Sequence, residues 1–164
     1  MRPLVVYYSN RGTTARIAKA IIKATNATER EIIDSNSRTG KGMMLLALSA
    51  MLGWSTKLKN PNYDLGGFDT IILLTPIWAG NPTPAMNAFL KKVNLQGKSI
   101  LLGLVGAGED NHEAAEKLTK RVEARGGKSV DVVYLRGATL NSGAEPLSEN
   151  HVNYEAEKVT SKLQ

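Results

Sequence analysis

Short apolar, β-branched runs recur along the chain at regular spacing. Leu4–Tyr8, Arg30–Asp34 around Ile32 and Ile33, Thr70–Thr75, Ser99–Val105 and Ser129–Leu135 each read as a short strand. Between them lie stretches with helical patterning: Thr13–Thr25, Gly42–Lys57, Pro84–Val93, Asn111–Arg125 and Ser148–Leu163. Thr13 or Thr14, Asp110 and Ser148 stand where helix caps are expected, and Gly126-Gly127 suits a helix end. Strands alternating with helices imply βαβ units, a parallel sheet and helices on both faces. A closed barrel needs eight such units, so the pattern predicts an open α/β fold. The expected architecture is a doubly wound five-stranded sheet in the order 2-1-3-4-5, forming a single domain over residues 1–164. Its switch point falls between strands 1 and 3, and ligands bind there at the carboxyl ends of the strands.

Composition narrows the chemistry. The chain has 164 residues, 42% apolar and 22% charged, which is ordinary globular usage. It contains no cysteine, which removes disulfides, cysteine-ligated zinc, iron–sulfur clusters and thiol chemistry from this sequence. His112 and His151 are too few for a histidine-rich metal site. The apolar start at Leu4–Tyr8 is too short for a signal-peptide core, and Met43–Trp54 falls short of the ~20 residues that span a bilayer. A soluble cytoplasmic protein is the expectation. Net charge is +6 and uneven, with ten Lys/Arg against three Asp/Glu in residues 1–60. A basic third suits phosphate-bearing ligands, an anionic lipid surface or an acidic partner. Its basic residues stand singly without interleaved aromatics, which argues against nucleic acid.

Three loops fall at the expected ligand edge. Ser9-Asn10-Arg11-Gly12-Thr13-Thr14 offers hydroxyls, a guanidinium, a flexible glycine and the start of a helix. That set suits a phosphate monoester, which takes several short hydrogen bonds and a positive dipole end. It lacks the Lys-Ser/Thr pair of a Walker loop. Taken alone it also reads as a turn that caps a helix. Thr75–Pro84 contains three prolines and Gly80 around Trp78, in a chain only 5% aromatic. A rigid loop presenting Trp suits stacking on a planar ligand, whereas the plainer reading folds Trp78 into the core. The third loop, Gly106–Asn111, allows close backbone approach, but Glu109 and Asp110 make it a poor phosphate site. Gly103, Gly106 and Gly108 lack the dinucleotide spacing.

Together these loops describe a ligand with one phosphate and a flat ring. Tyr7–Thr14 followed by Ala18, Pro76–Asn81 with Pro84-Ala85-Met86, and Gly106–Asn111 resemble the three FMN-binding segments of the flavodoxin-like family, over essentially the whole chain. Arg11 stands where that family commonly has Thr. The resemblance implies FMN as cofactor, its phosphate on Ser9, Arg11, Gly12, Thr13 and Thr14 with Asn10 at the turn. It implies Trp78 stacking on the isoalloxazine, with Pro76, Ile77, Ala79, Gly80 and Asn81 around the ring. Gly106, Gly108 and Glu109 would face its pyrimidine side. The family's second aromatic is absent between Gly106 and Asn111.

The activity implied is electron shuttling between redox partner proteins. An FMN-dependent NAD(P)H or quinone reductase on the same fold is the rival, favoured by the basic charge and the missing aromatic. A cofactor-free interaction scaffold is a third reading. A signalling receiver is excluded, because its paired acids and lysine are replaced by Ser9-Asn10, Thr75-Pro76 and Leu135-Arg136. The stretch Met43–Trp54, flanked by Lys41, Lys57 and Lys59, is apolar nearly all round a helix. Packing of that helix on the sheet is the plain reading. Its methionines also suit an adaptable surface for a homodimer or a weak membrane-surface contact.

Overall fold

The structure, a computed structural model, describes residues 3–35, 48–107, 110–137 and 147–163. Its elements are β1 (Leu4–Tyr8), α1 (Thr13–Thr25), β2 (Thr28–Ile32), β3 (Thr70–Trp78), β4 (Asn81–Pro82), α2 (Pro84–Leu90), β5 (Ser99–Gly106), α3 (His112–Glu123), β6 (Lys128–Arg136) and α4 (Glu149–Thr160). Five strands pair in the order β2-β1-β3-β5-β6, and each pairing along that path is parallel. This is the expected 2-1-3-4-5 winding, with the switch point between β1 and β3. The short β4 lies off that path and pairs antiparallel with β3.

The sheet is covered on both faces, which is why its strands read as near-continuous apolar runs. Val5, Tyr7, Ile72, Leu74, Leu101 and Leu135 face Ile17 and Ile21 of α1 and Val152 and Val159 of α4. Leu4, Val6, Tyr8, Leu73, Leu102 and Leu104 face Phe89 of α2 and Leu118 and Val122 of α3. The two sets alternate along β1, as a pleated strand requires. Ile17 and Ile21 are fully buried, and each contributes about 1.5–3 kcal/mol by that burial.

Two elements depart furthest from the sequence reading. The second strand is Thr28–Ile32 rather than Arg30–Asp34, because its register with β1 begins at Leu4↔Thr28 and ends at Tyr8↔Ile32. It is an edge strand whose central Glu-Arg-Glu is charged, so its apolar signal was displaced toward Ile33, which is 49% exposed. The expected helix Gly42–Lys57 lies partly outside the described residues. Its described portion is helical at 48–51 and stops at Gly53, which has φ +62. The Gly53 N–H bonds Ala50 O and the Trp54 N–H bonds Ser49 O, the pairing of a glycine-terminated helix end. Beyond it Leu58 bridges Asp34 in antiparallel fashion. Ser49 and Ala50 are buried, Ala50 within the core cluster, whereas Leu48, Met51, Leu52 and Trp54 are exposed, so the described turn packs by one face only. No helix among the described residues is long and apolar enough to cross a membrane.

Candidate functional site at the carboxyl edge of the sheet

The first loop leaves β1 and enters α1 through Gly12, whose φ of 89° lies in the left-handed region. Ser9 Oγ accepts the Gly12 N–H at 3.1 Å and closes the turn. The expected cap at Thr13 or Thr14 is not observed: Gly12 occupies the N-cap position, and no side chain caps the helix. The N–H groups of Thr13, Thr14 and Ala15 therefore have no intrahelical partner. They carry the positive end of the helix dipole. Arg11 is exposed beside them, with no charge or hydrogen-bond partner among the described residues. Asn10 is half-buried and Thr14 is buried. Arg16, one turn further on, is committed elsewhere, donating from Nη1 to Leu147 O at 2.7 Å.

The second loop is in fact a hairpin. β3 runs past Thr75 through Pro76 and Ile77 to Trp78, then turns back into β4 with Trp78 opposite Asn81. Ala79 (φ 46°) and Gly80 (φ 72°) are the two central residues, both left-handed as a tight two-residue turn requires. Glycine accepts this freely, but alanine incurs roughly 1–2 kcal/mol of strain. The hairpin base is locked by Thr75 Oγ1 and Thr83 Oγ1, 2.9 Å apart and buried, and Thr83 also caps α2 through Met86 N. The tip is held by Asn81, whose Nδ2 donates to Ala79 O at 2.7 Å while its Oδ1 accepts from Lys117 Nζ at 2.6 Å.

Trp78 does not present a face at this edge. It is 5% exposed and meets Tyr8 edge-on, with ring centroids 6.1 Å apart and planes at 73°. It belongs to the core cluster on the α2–α3 side of the sheet. A face becomes accessible only if the ring leaves this packing. Ala79 is exposed, and Pro76, Ile77 and Gly80 are half-buried.

In the third loop, Gly106 closes β5 and its carbonyl accepts the Gly137 N–H at 2.6 Å. A side chain at Gly137 would meet Thr13 Cγ2 at 3.7 Å, so the first loop abuts the ends of β5 and β6. A side chain at Gly80 would meet Asn111 Nδ2 at 3.4 Å, so the hairpin tip abuts the third loop. The structure thus brings all three segments to one edge. Gly108 and Glu109 lie outside the described residues. The cap of α3 is Asn111 rather than Asp110, its Oδ1 accepting from Ala114 N at 2.9 Å. At the same edge Tyr134 Oη lies 3.0 Å from His112 Nδ1. Burial, and secondarily the Asp110 charge, push the Tyr134 phenol above its ordinary value.

Sequence reasoning placed Asn111 in the third loop but missed its capping role, and it missed Lys117 and Tyr134 at this edge altogether. The i,i+4 spacing of Lys117 from Glu113 is that of a surface ion pair, which is present at 2.6 Å. Nothing local signalled its second bond, to Asn81.

No family model matches the chain, and no curated protein matches it. Solved structures do share its fold. A protein from Bacteroides uniformis ATCC 8492 described as a flavoprotein aligns with a TM-score of 0.70 at 22% identity, over 93% of this chain and 96% of that one. A flavoprotein from Lactobacillus acidophilus NCFM, in complex with FMN, aligns at 0.63 and 18% identity, over 82% of this chain and 91% of that one. An NADH:FMN oxidoreductase in its apo form aligns at 0.56 and 16% identity, over 100% of this chain and 91% of that one. At such identities the likeness establishes the flavodoxin-like fold.

Proposed function

We propose that the chain binds FMN at this edge and carries electrons between redox partner proteins. The observation that carries the reading is the uncapped α1 N-terminus beside Arg11, which has no partner among the described residues, at the switch point of the sheet. A phosphate monoester would take the N–H groups of Thr13 and Thr14, the Thr13 hydroxyl and the Arg11 guanidinium. Ser9 would hold the Gly12 turn in the receptive shape. The likeness to an FMN complex and to an NADH:FMN oxidoreductase supports the same cofactor.

FMN, when bound, supplies the one- and two-electron chemistry, and the chain supplies orientation and electrostatics. The ring would lie between the Ala79-Gly80 tip and the third loop, whose backbone allows close approach. Lys117 holds the tip through Asn81. Asp110 would add negative charge near the ring and so disfavour its reduced anionic form. In its present packing Trp78 backs the hairpin, and stacking would require it to leave Tyr8.

That packing supports the second reading, an FMN-dependent NAD(P)H or quinone reductase. Neither Trp78 nor any of Gly106, Ala107, Asp110 and Asn111 offers an aromatic face over the ring, which leaves room for a second substrate.

The test is a titration of the apo-protein with FMN, followed by flavin fluorescence. Saturable binding at one site per chain is expected, with riboflavin, which lacks the phosphate, at least about tenfold weaker. Arg11→Ala and Thr13→Ala should each weaken FMN by roughly 1–3 kcal/mol. Absence of saturable binding overturns the proposal in favour of a cofactor-free scaffold. Catalytic NADH or NADPH oxidation with a quinone acceptor would select the reductase over the carrier.

A further inference from the structure

A cleft of about 300 Å³ opens where the C-terminal halves of α2 and α3 meet the Gly53 turn. Gly53, Asn87, Leu90, Lys91, Arg121 and Arg125 line it. Arg121 lies nine residues into α3, about 13 Å along its axis from the carboxyl edge. The cleft is therefore separate from the three loops. We infer that it binds a small organic oxyanion, a carboxylate or phosphate carried on a flat apolar body.

The charge is the first argument. Lys117 and Lys120 on α3 are paired with Glu113 and Glu116, four residues back on the same helix. Arg121, Arg125 and Lys91 have no carboxylate partner among the described residues. Arg121 stands in the last turn of α3 and Arg125 in the turn that follows its C-cap, Ala124, and both line the cleft. Burial without a counter-ion pushes the Arg121 guanidinium below its ordinary value. An oxyanion in the cleft would offset that cost.

Preorganisation is the second argument. Arg121 Nη1 donates to Asn87 Oδ1, and Arg125 Nε donates to Leu90 O at 2.7 Å. Asn87 is buried and is itself fixed by Nδ2 donating to Trp54 O at 3.3 Å. Each guanidinium is thus oriented by one bond and keeps further N–H groups for a planar oxyanion. Compensation of a helix C-terminus accounts for Arg125, which bonds the last carbonyl of α2. It does not account for Arg121, which reaches across to a side chain.

The apolar surroundings complete the site. Leu90 and Ala124 form the apolar part of the wall, and Met51, Leu52 and Trp54, sequence neighbours of Gly53 that do not themselves line the cleft, are exposed at 60%, 51% and 56%. A volume near 300 Å³ lies at the small end of ligand sites and suits a single ring with its anionic group.

Phenyl phosphate, titrated into the full chain with FMN in excess, is the test, read on the Arg121 and Arg125 Nε–Hε NMR signals. Saturable shifts of both signals are expected. Arg121→Gln and Arg125→Gln should weaken phenyl phosphate by at least roughly tenfold, since each removes a charge-assisted bond. Lys91→Gln, an exposed substitution that leaves the fold untouched, should weaken it about two- to threefold. Arg11→Ala should leave it unchanged. Inorganic phosphate should bind more weakly than phenyl phosphate; equal affinity would overturn the apolar half of the proposal. Shifts that fail to saturate, or an affinity indifferent to all three cleft substitutions, would overturn the whole. Loss on Arg11→Ala alone would return the anion to the first loop. None of these outcomes depends on whether FMN binds, because the titration is repeated without it.

Discussion

Helices α1 and α3 enter the molecule at the same edge of the same sheet, each following a buried parallel strand. Their first turns are satisfied in opposite ways. α3 begins with Asn111, whose side chain caps Ala114 N, and carries Glu113 in its first turn behind Asp110. α1 begins with left-handed Gly12, has no side-chain cap and no acid in its first turn, and lies behind Arg11. The helix dipole is the same in both. One N-terminus is neutralised from within, and the other is left for an anion from outside. This contrast, rather than the presence of a helix start, is the ground for proposing the first loop as the phosphate site.

Reversing the charge at the open end is the harshest test of that contrast. Arg11→Glu removes a charge-assisted donor worth about 1.5–3 kcal/mol and adds repulsion, so FMN affinity should fall by roughly a hundredfold or more. Isothermal titration at low and at molar salt would show it. A loss no greater than that of a distant surface charge reversal would mean that α1 does not hold the phosphate. The converse change empties the closed end. Asn111→Ala should cost about 1 kcal/mol of folding stability, read as a lower urea midpoint, because it leaves the α3 start uncapped. It should create no second phosphate site, since Asp110 and Glu113 remain. Ser9→Ala comes next in size. It deletes the acceptor that closes the Gly12 turn, so FMN affinity should fall by about 0.5–1.5 kcal/mol while the urea midpoint scarcely moves.

The winding of the sheet was legible in the chain, because strands buried on both faces announce themselves as apolar runs and helices announce themselves by period. Register was not. β2 is fixed by its pairing to β1, and its own charged residues point to a strand two residues further on. The residue types of the first loop suggested a phosphate loop, which the structure leaves as a proposal, and its cap was misread. A Thr-Thr pair suggests self-capping, and only the backbone of Gly12 shows that the helix start stays open. Trp78 marks the limit of composition as a guide. A lone tryptophan in a proline-rich segment reads equally as a platform and as core, and the choice depends on Tyr8, seventy residues away in sequence and its neighbour in space. Gly53 was the one local signal that the apolar Met43–Trp54 helix would end early, leaving Met51, Leu52 and Trp54 exposed.

The gentlest probe of the comparison is Glu113→Gln. Glu113 lies in the first turn of α3 and pairs with Lys117 at 2.6 Å, but its side chain is 73% exposed. Its favourable interaction with the helix start is worth about 0.3–1 kcal/mol at low salt, and the exposed ion pair adds no more than a few tenths. The substitution should therefore lower folding stability by no more than about 1 kcal/mol, read as a slightly lower urea midpoint, and the difference should largely vanish at molar salt. Lys117 would keep its bond to Asn81, so the hairpin tip should stay in place and FMN affinity should hold. A clear gain in FMN affinity would carry a different message. It would mean that the acids of α3 act on the same bound anion as α1, and that the two helix starts form one electrostatic site rather than a closed end and an open one.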